Sequence, residues 1–128
     1  MKQKNERQHM GMWIDNSHAI IIANDNEAGT YAIGETVKVN DHHVSGSEHT
    51  MNNAEQGNNL KYFKSIAALL LDYDEILIFG PGTSQEQFHN FLKEDAQFNN
   101  KRITIDSTGN QTEPQMIAKV RDFFGNSN

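Results

Sequence analysis

Residues 60–82 read LKYFKSIAALLLDYDEILIFGPG, and the hydrophobic period changes part-way along them. Leu60, Phe63, Ile66, Ala67, Leu70 and Leu71 recur at helical spacing, so the pattern predicts a long amphipathic helix over about residues 55–73. EILIFG (75–80) then runs apolar without alternation, the pattern of a strand covered on both faces. Gly80-Pro81-Gly82 ends it.

Reading outward toward the C-terminus, residues 84–98 (SQEQFHNFLKEDAQF) place Phe88, Phe91, Leu92 and Phe98 at helical spacing. Thr83 or Ser84 is the expected N-cap, with Glu86 or Gln87 completing a capping box. KRITIDS (101–107) reads as a strand, and residues 112–124 (TEPQMIAKVRDFF) as a last helix. Thr112 is its N-cap, Pro114 lies in its first turn and Gly125 stops it. Toward the N-terminus, GMWID (11–15) and HAIIIA (18–23) are short β-forming runs split by Asn-Ser, which suggests a hairpin or one bulged strand. NDNEAG (24–29) is a turn cluster, and TYAIGETVKV (30–39) alternates as a third strand.

The order β-β-β-α-β-α-β-α implies an antiparallel meander followed by parallel strands joined through helical crossovers. The expected fold is α/β, an RNase H-like three-layer arrangement around a mixed five-stranded sheet. One domain is expected over residues 11–125, with a frayed tail at 1–10 and a short tail at 126–128.

The chain has 128 residues, enough to bury a core without staples, and a formal net charge of −6. That charge argues against coating nucleic acid by bulk electrostatics, although a local basic patch remains open. The absence of cysteine excludes disulfides, thiolate nucleophiles and thiolate metal sites. The first ten residues carry basic side chains but no apolar run follows them, and AIII from Ala19 is too short to span a membrane. The expectation is a cytoplasmic protein with no membrane partner.

GMWIDNSHAIII, a polar loop before a long helix, ILIFGPG and ITIDSTG together carry a resemblance. From Gly11 to Phe124 the chain resembles the middle domain of eukaryotic and archaeal class-I peptide release factors. Pelota-type rescue proteins share that domain, and stand-alone bacterial proteins look like isolated copies of it. In release factors the loop before the long helix carries a Gly-Gly-Gln motif that helps water attack the peptidyl-tRNA ester. The matching stretch here, residues 41–59 (DHHVSGSEHTMNNAEQGNN), has Gly46 followed by Ser47 and Glu48, and the reversed pair Gln56-Gly57, but no Gly-Gly-Gln. The resemblance therefore implies a non-catalytic, translation-associated binding module that contacts ribosome or tRNA, with no cofactor and no DNA partner. His42, His43, Ser45, Gly46, His49, Gln56 and Gly57 would form its binding loop.

Four constellations compete with plainer readings. His42, His43 and His49 could join Asp41 or Glu48 around a zinc ion, but no regular element fixes them and adjacent histidines chelate poorly, so a solvated loop is preferred. Asp15 and Asp106 end strands where a metal-dependent phosphodiesterase of RNase H-like type would hold divalent ions; both equally suit turn residues bonding their own backbone. Gly80, Gly82, Thr83 and Ser84 lie between a strand and a helix N-terminus, a place for a small anion or nucleotide, or simply a turn and cap. Lys61 and Lys64, three apart on the long helix, could meet RNA phosphates or form a solvated face. Ser17 and His18 are neighbours, but nothing in the sequence marks a triad. Oligomeric state has no sequence signal.

Overall fold

The computed structural model describes residues 8–24, 30–39 and 51–125, with backbone alone for 51–59. Strands β1 (His9–Ile14), β2 (His18–Asn24) and β3 (Tyr31–Lys38) precede helix α1 (Met51–Leu70). Strand β4 (Glu75–Gly80), helix α2 (Ser84–Lys93), a 3-10 turn (Ala96–Phe98), β5 (Arg102–Ser107) and α3 (Glu113–Gly125) follow. The strands form one five-stranded sheet in the order β3-β2-β1-β4-β5. β1–β2 and β2–β3 pair antiparallel, β1–β4 and β4–β5 parallel. This is the mixed α/β, RNase H-like architecture expected.

Alternation along the strands divides the core in two. Met10, Met12, Ile14, Ile76 and Ile78 face α1 and α2, packing on Tyr62, Ile66, Leu70, Phe88 and Leu92. Trp13, Ile20, Ile22, Leu77 and Phe79 face α3, packing on Met116, Val120 and Phe124. Each aliphatic or Phe side chain buried this way contributes about 1.5–3 kcal/mol before entropy is counted. Because α1 and α2 share a face and their crossovers advance in one direction across the sheet, the two crossovers have the same hand, and α3 returns over the other face. α3 lies close on β1 because Gly11 has no side chain: a Cβ there would run into the Val120 methyls.

One irregularity decides which β3 side chains share a face. Ile21 pairs Glu35 but Ile22 pairs Ile33, so Gly34 is an extra residue in β3. The bulge switches parity: Tyr31 and Ile33 pack against the α3 side, whereas Val37 joins the α1/α2 side. Thr36, opposite Ile20, and Lys38, opposite His18, are consequently on the α3 side.

Several sequence boundaries move. β1 begins at His9 and Met10 is wholly buried, so the expected tail of residues 1–10 does not hold for its last two residues; Gln8 already accepts from the amides of Asp74 and Glu75 at 2.8 and 3.1 Å. α1 begins at Met51 rather than about residue 55 and ends at Leu70, so Gln56 and Gly57 lie in the helix and not in a loop. Weak helix formers such as Asn and Gly are only a soft prior against that. The helix expected over 84–98 stops at Lys93, because the extended Asp95 accepts from the Gln97 amide at 3.0 Å and starts a separate 3-10 turn.

Candidate functional site at the carboxyl edge of the sheet

β1, β3, β4 and β5 all end at one edge of the sheet, where α1, α2 and α3 begin. In open α/β sheets this edge is where ligands sit, because loops there are free to vary on a fixed scaffold. Expected site residues among those described lie near it.

Asp15 follows β1 in a tight hairpin turn whose amide donates to the His18 carbonyl at 3.0 Å. Its carboxylate accepts from the Ser17 and His18 amides, each at 2.9 Å, and from the Ser17 hydroxyl at 3.1 Å. Burial pushes this carboxyl up, but the two amides, the neighbouring His18 and the Ser17 hydroxyl outweigh it and hold the group below its ordinary value. His18 Nδ1 lies 3.2 Å from Asp15 Oδ1 and 3.1 Å from Ser17 Oγ. Both partners meet the same ring nitrogen, whereas a nucleophilic triad needs the histidine to bridge them through opposite nitrogens. The cluster is therefore a turn lock.

Asp106, on β5, accepts from the Ser107 amide at 2.9 Å. It pairs Lys119 at 2.6 Å, and the Lys119 hydrogen bond, outweighing partial burial, holds its carboxyl below the usual range. Trp13, Phe79 and Asp106 lie in one register rank, so β4 separates β1 from β5 and two strand spacings, about 9.5 Å, lie between the chains. A two-metal site needs ions about 4 Å apart held by shared carboxylates. Among the described residues no group of three or more His, Cys, Asp or Glu is placed to hold a metal.

At the β4–α2 turn, Gly80 is required by close approach: a Cβ would strike the Ile14 carbonyl oxygen. Thr83 is the N-cap of α2, but its side chain makes no capping bond, and the expected box with Glu86 or Gln87 is absent. The Glu86 and Gln87 amides donate to the Thr83 carbonyl instead, each at 3.0 Å. The Ser84 hydroxyl donates to Asn16 Oδ1 at 2.7 Å, tying this turn to the β1–β2 hairpin, and Gln85 Nε2 donates to the Gly82 carbonyl at 2.8 Å. Ser84 and Gln85 are buried, which leaves Gly82 and Thr83 as the exposed members of the expected anion site. The box does form on α3, where Thr112 Oγ1 accepts from the Gln115 amide at 3.3 Å and Gln115 Oε1 from the Thr112 amide at 2.9 Å.

Lys61 and Lys64 are both exposed on α1, and Tyr62 between them is buried. The Tyr62 hydroxyl donates to the Asp15 carbonyl at 3.1 Å, which fixes this turn of α1 over the hairpin. Sequence reading missed Tyr62, Asn16 and Gln85, because a buried polar side chain breaks the apolar pattern instead of making one. His42, His43, Ser45, Gly46 and His49 lie outside the described residues, and the side chain of Gln56 likewise. Among the described residues no helix is long and apolar enough to cross a membrane.

No family model matches the sequence, and a search of curated proteins finds no match. Solved structures do match in fold. Archaeoglobus fulgidus Pelota aligns with a TM-score of 0.61 at 17% identity, over 94% of this chain and 34% of that one. Archaeal Pelota in a ribosome-bound state aligns at 0.56 and 18% identity, over 87% of this chain and 30% of that one. The archaeal translation termination factor aRF1 aligns at 0.51 and 11% identity, over 88% of this chain and 34% of that one. The chain thus spans about one third of the length of these proteins. What the chain shares with Pelota and the archaeal termination factor is the fold of one α/β unit.

Proposed function

We propose that this chain is a non-catalytic, translation-associated binding module that contacts ribosome or tRNA. The observation carrying this reading is the exposed pair Lys61 and Lys64, held on α1 beside the carboxyl edge by the Tyr62–Asp15 bond, in a fold also found in ribosome-bound archaeal Pelota. Two phosphate-contacting lysines on one helix face give orientation without base specificity. The stretch 41–59 would add contacts through His42, His43, Ser45, Gly46, His49, Gln56 and Gly57. In this reading residues 9–125 act as one cytoplasmic domain without a cofactor. The net charge of −6 keeps the rest of the surface from binding RNA indiscriminately.

Sedimentation of the tagged protein with cell lysate through a sucrose gradient tests it. Co-migration with ribosomal subunits at low salt, lost at high salt, supports the reading. A protein that stays at the top under both conditions removes it.

A further inference from the structure

On the α3 side of the sheet, away from α1, a cleft of about 550 Å³ opens over the start of β2 and the end of β3. It is lined by Ser17, His18, Ile20, Thr36, Lys38 and Glu113. Its floor is set by register: Ile20 pairs with Thr36 and His18 with Lys38, so four side chains form a two-by-two array. The Gly34 bulge puts Thr36 and Lys38 there, since without the parity switch Val37 would take this face. Ser17 enters from the hairpin turn and Glu113 from the first turn of α3.

We propose that this cleft binds a ribonucleotide, either free or as the terminal residue of an RNA strand. Its volume falls within the roughly 300–1,000 Å³ of small-molecule sites. The chemistry is divided as a nucleotide requires. Lys38 and the Thr36 hydroxyl supply donors for a phosphate, while the Ser17 hydroxyl is already spent on Asp15. Buried Ile20 and the half-buried His18 ring offer an apolar and aromatic surface on which a base can lie. The Asp15 carboxylate holds that ring by Nδ1, so its orientation is set before a ligand arrives. Glu113 supplies the acceptor that a simple phosphate site would lack, and a ribose hydroxyl or a base amino group is its complement. A bare anion would be repelled by Glu113, whereas a ligand with an anionic end and a hydrogen-bond-donating end satisfies both walls.

The test is titration of the isotope-labelled protein, followed through backbone amide resonances, with cytidine and adenosine 5′-monophosphates, the matching nucleosides, and a short RNA ending in the same nucleotide. Saturable shifts at Ser17, His18, Thr36 and Glu113 are expected. Lys38→Ala should weaken monophosphate binding about tenfold, the loss expected when a hydrogen bond to a charged group is removed. The exposed positions Thr36→Val and Glu113→Gln provide further variants, with the melting temperature as the folding control. A strand that binds more tightly than the mononucleotide assigns the cleft to RNA, and equal affinity assigns it to free nucleotide; both uphold the site. Shifts that are absent, that centre on Gly82 and Thr83, or that persist unchanged in Lys38→Ala overturn it. Lys61→Glu with Lys64→Glu should leave nucleotide binding intact, so failure of the ribosomal reading and failure of this one are distinguishable.

Discussion

The Tyr62 hydroxyl donates to the backbone carbonyl of Asp15 at 3.1 Å, joining α1 to a hairpin turn 47 residues earlier. Burial, with the Asp15 charge, pushes the Tyr62 ionisation far up, so the phenol remains a neutral donor across the working pH range. Tyr62→Phe leaves a part-buried carbonyl without this donor and should cost about 1–2 kcal/mol, read from the denaturant midpoint. An unchanged midpoint would show that the bond does not hold the helix to the turn.

The approach of α3 to β1 rests on Gly11 and Val120. Gly11→Ala should destabilise by about 1–3 kcal/mol through overpacking against the Val120 methyls. Val120→Ala alone opens a cavity in the α3-side core, where Val120 is wholly buried. The double variant should be less destabilised than the sum of the two, because each change relieves the other. Strict additivity would mean that the contact does not set the spacing.

Acid unfolding should report the Asp15 turn. Its carboxyl is held low in the folded state, so its contribution is present above the unfolded value of about 3.9 and is lost as pH falls through the folded value. Asp15→Asn keeps an oxygen acceptor but cannot take up the proton. Stability measured against pH below about 4 should therefore fall less steeply in the variant than in the wild type. Equal slopes would place the acid sensitivity elsewhere, with Asp106 and its Lys119 partner as the next pair to replace.

Divalent metal should not stabilise the fold. Asp15 is committed to backbone amides and Asp106 to Lys119, with a strand between them. A ligand that prefers the folded state must raise the melting temperature. Scanning with millimolar Mn²⁺ or Mg²⁺ should show no rise, and a clear rise would reopen the phosphodiesterase reading.

The architecture was legible where periodicity was strong. The 60–71 and 88–92 spacings located α1 and α2, and the unbroken EILIFG run located the interior, doubly covered β4. Thr112 with Pro114 marked the start of α3. Other features depend on contacts distant in sequence, and local pattern cannot report those. Met10 looks like tail until β4 pairs with it. Ser84 looks like a helix cap until Asn16 takes its hydroxyl. Lys38 and Thr36 gain meaning only once His18 and Ile20 lie opposite and the Gly34 bulge turns them to the α3 side. Glu113 reads as an ordinary first-turn acid, and only the crossing of α3 brings it to that cleft.

A ribosomal contact carried by the exposed α1 lysines, as proposed above, is read from the affinity of the purified protein for ribosomal subunits over a series of salt concentrations. If Lys61 and Lys64 meet phosphates, wild-type affinity falls log-linearly with salt, and Lys61→Glu with Lys64→Glu weakens binding and flattens that slope by about two phosphate contacts. An unchanged affinity and slope in the double variant would contradict the account.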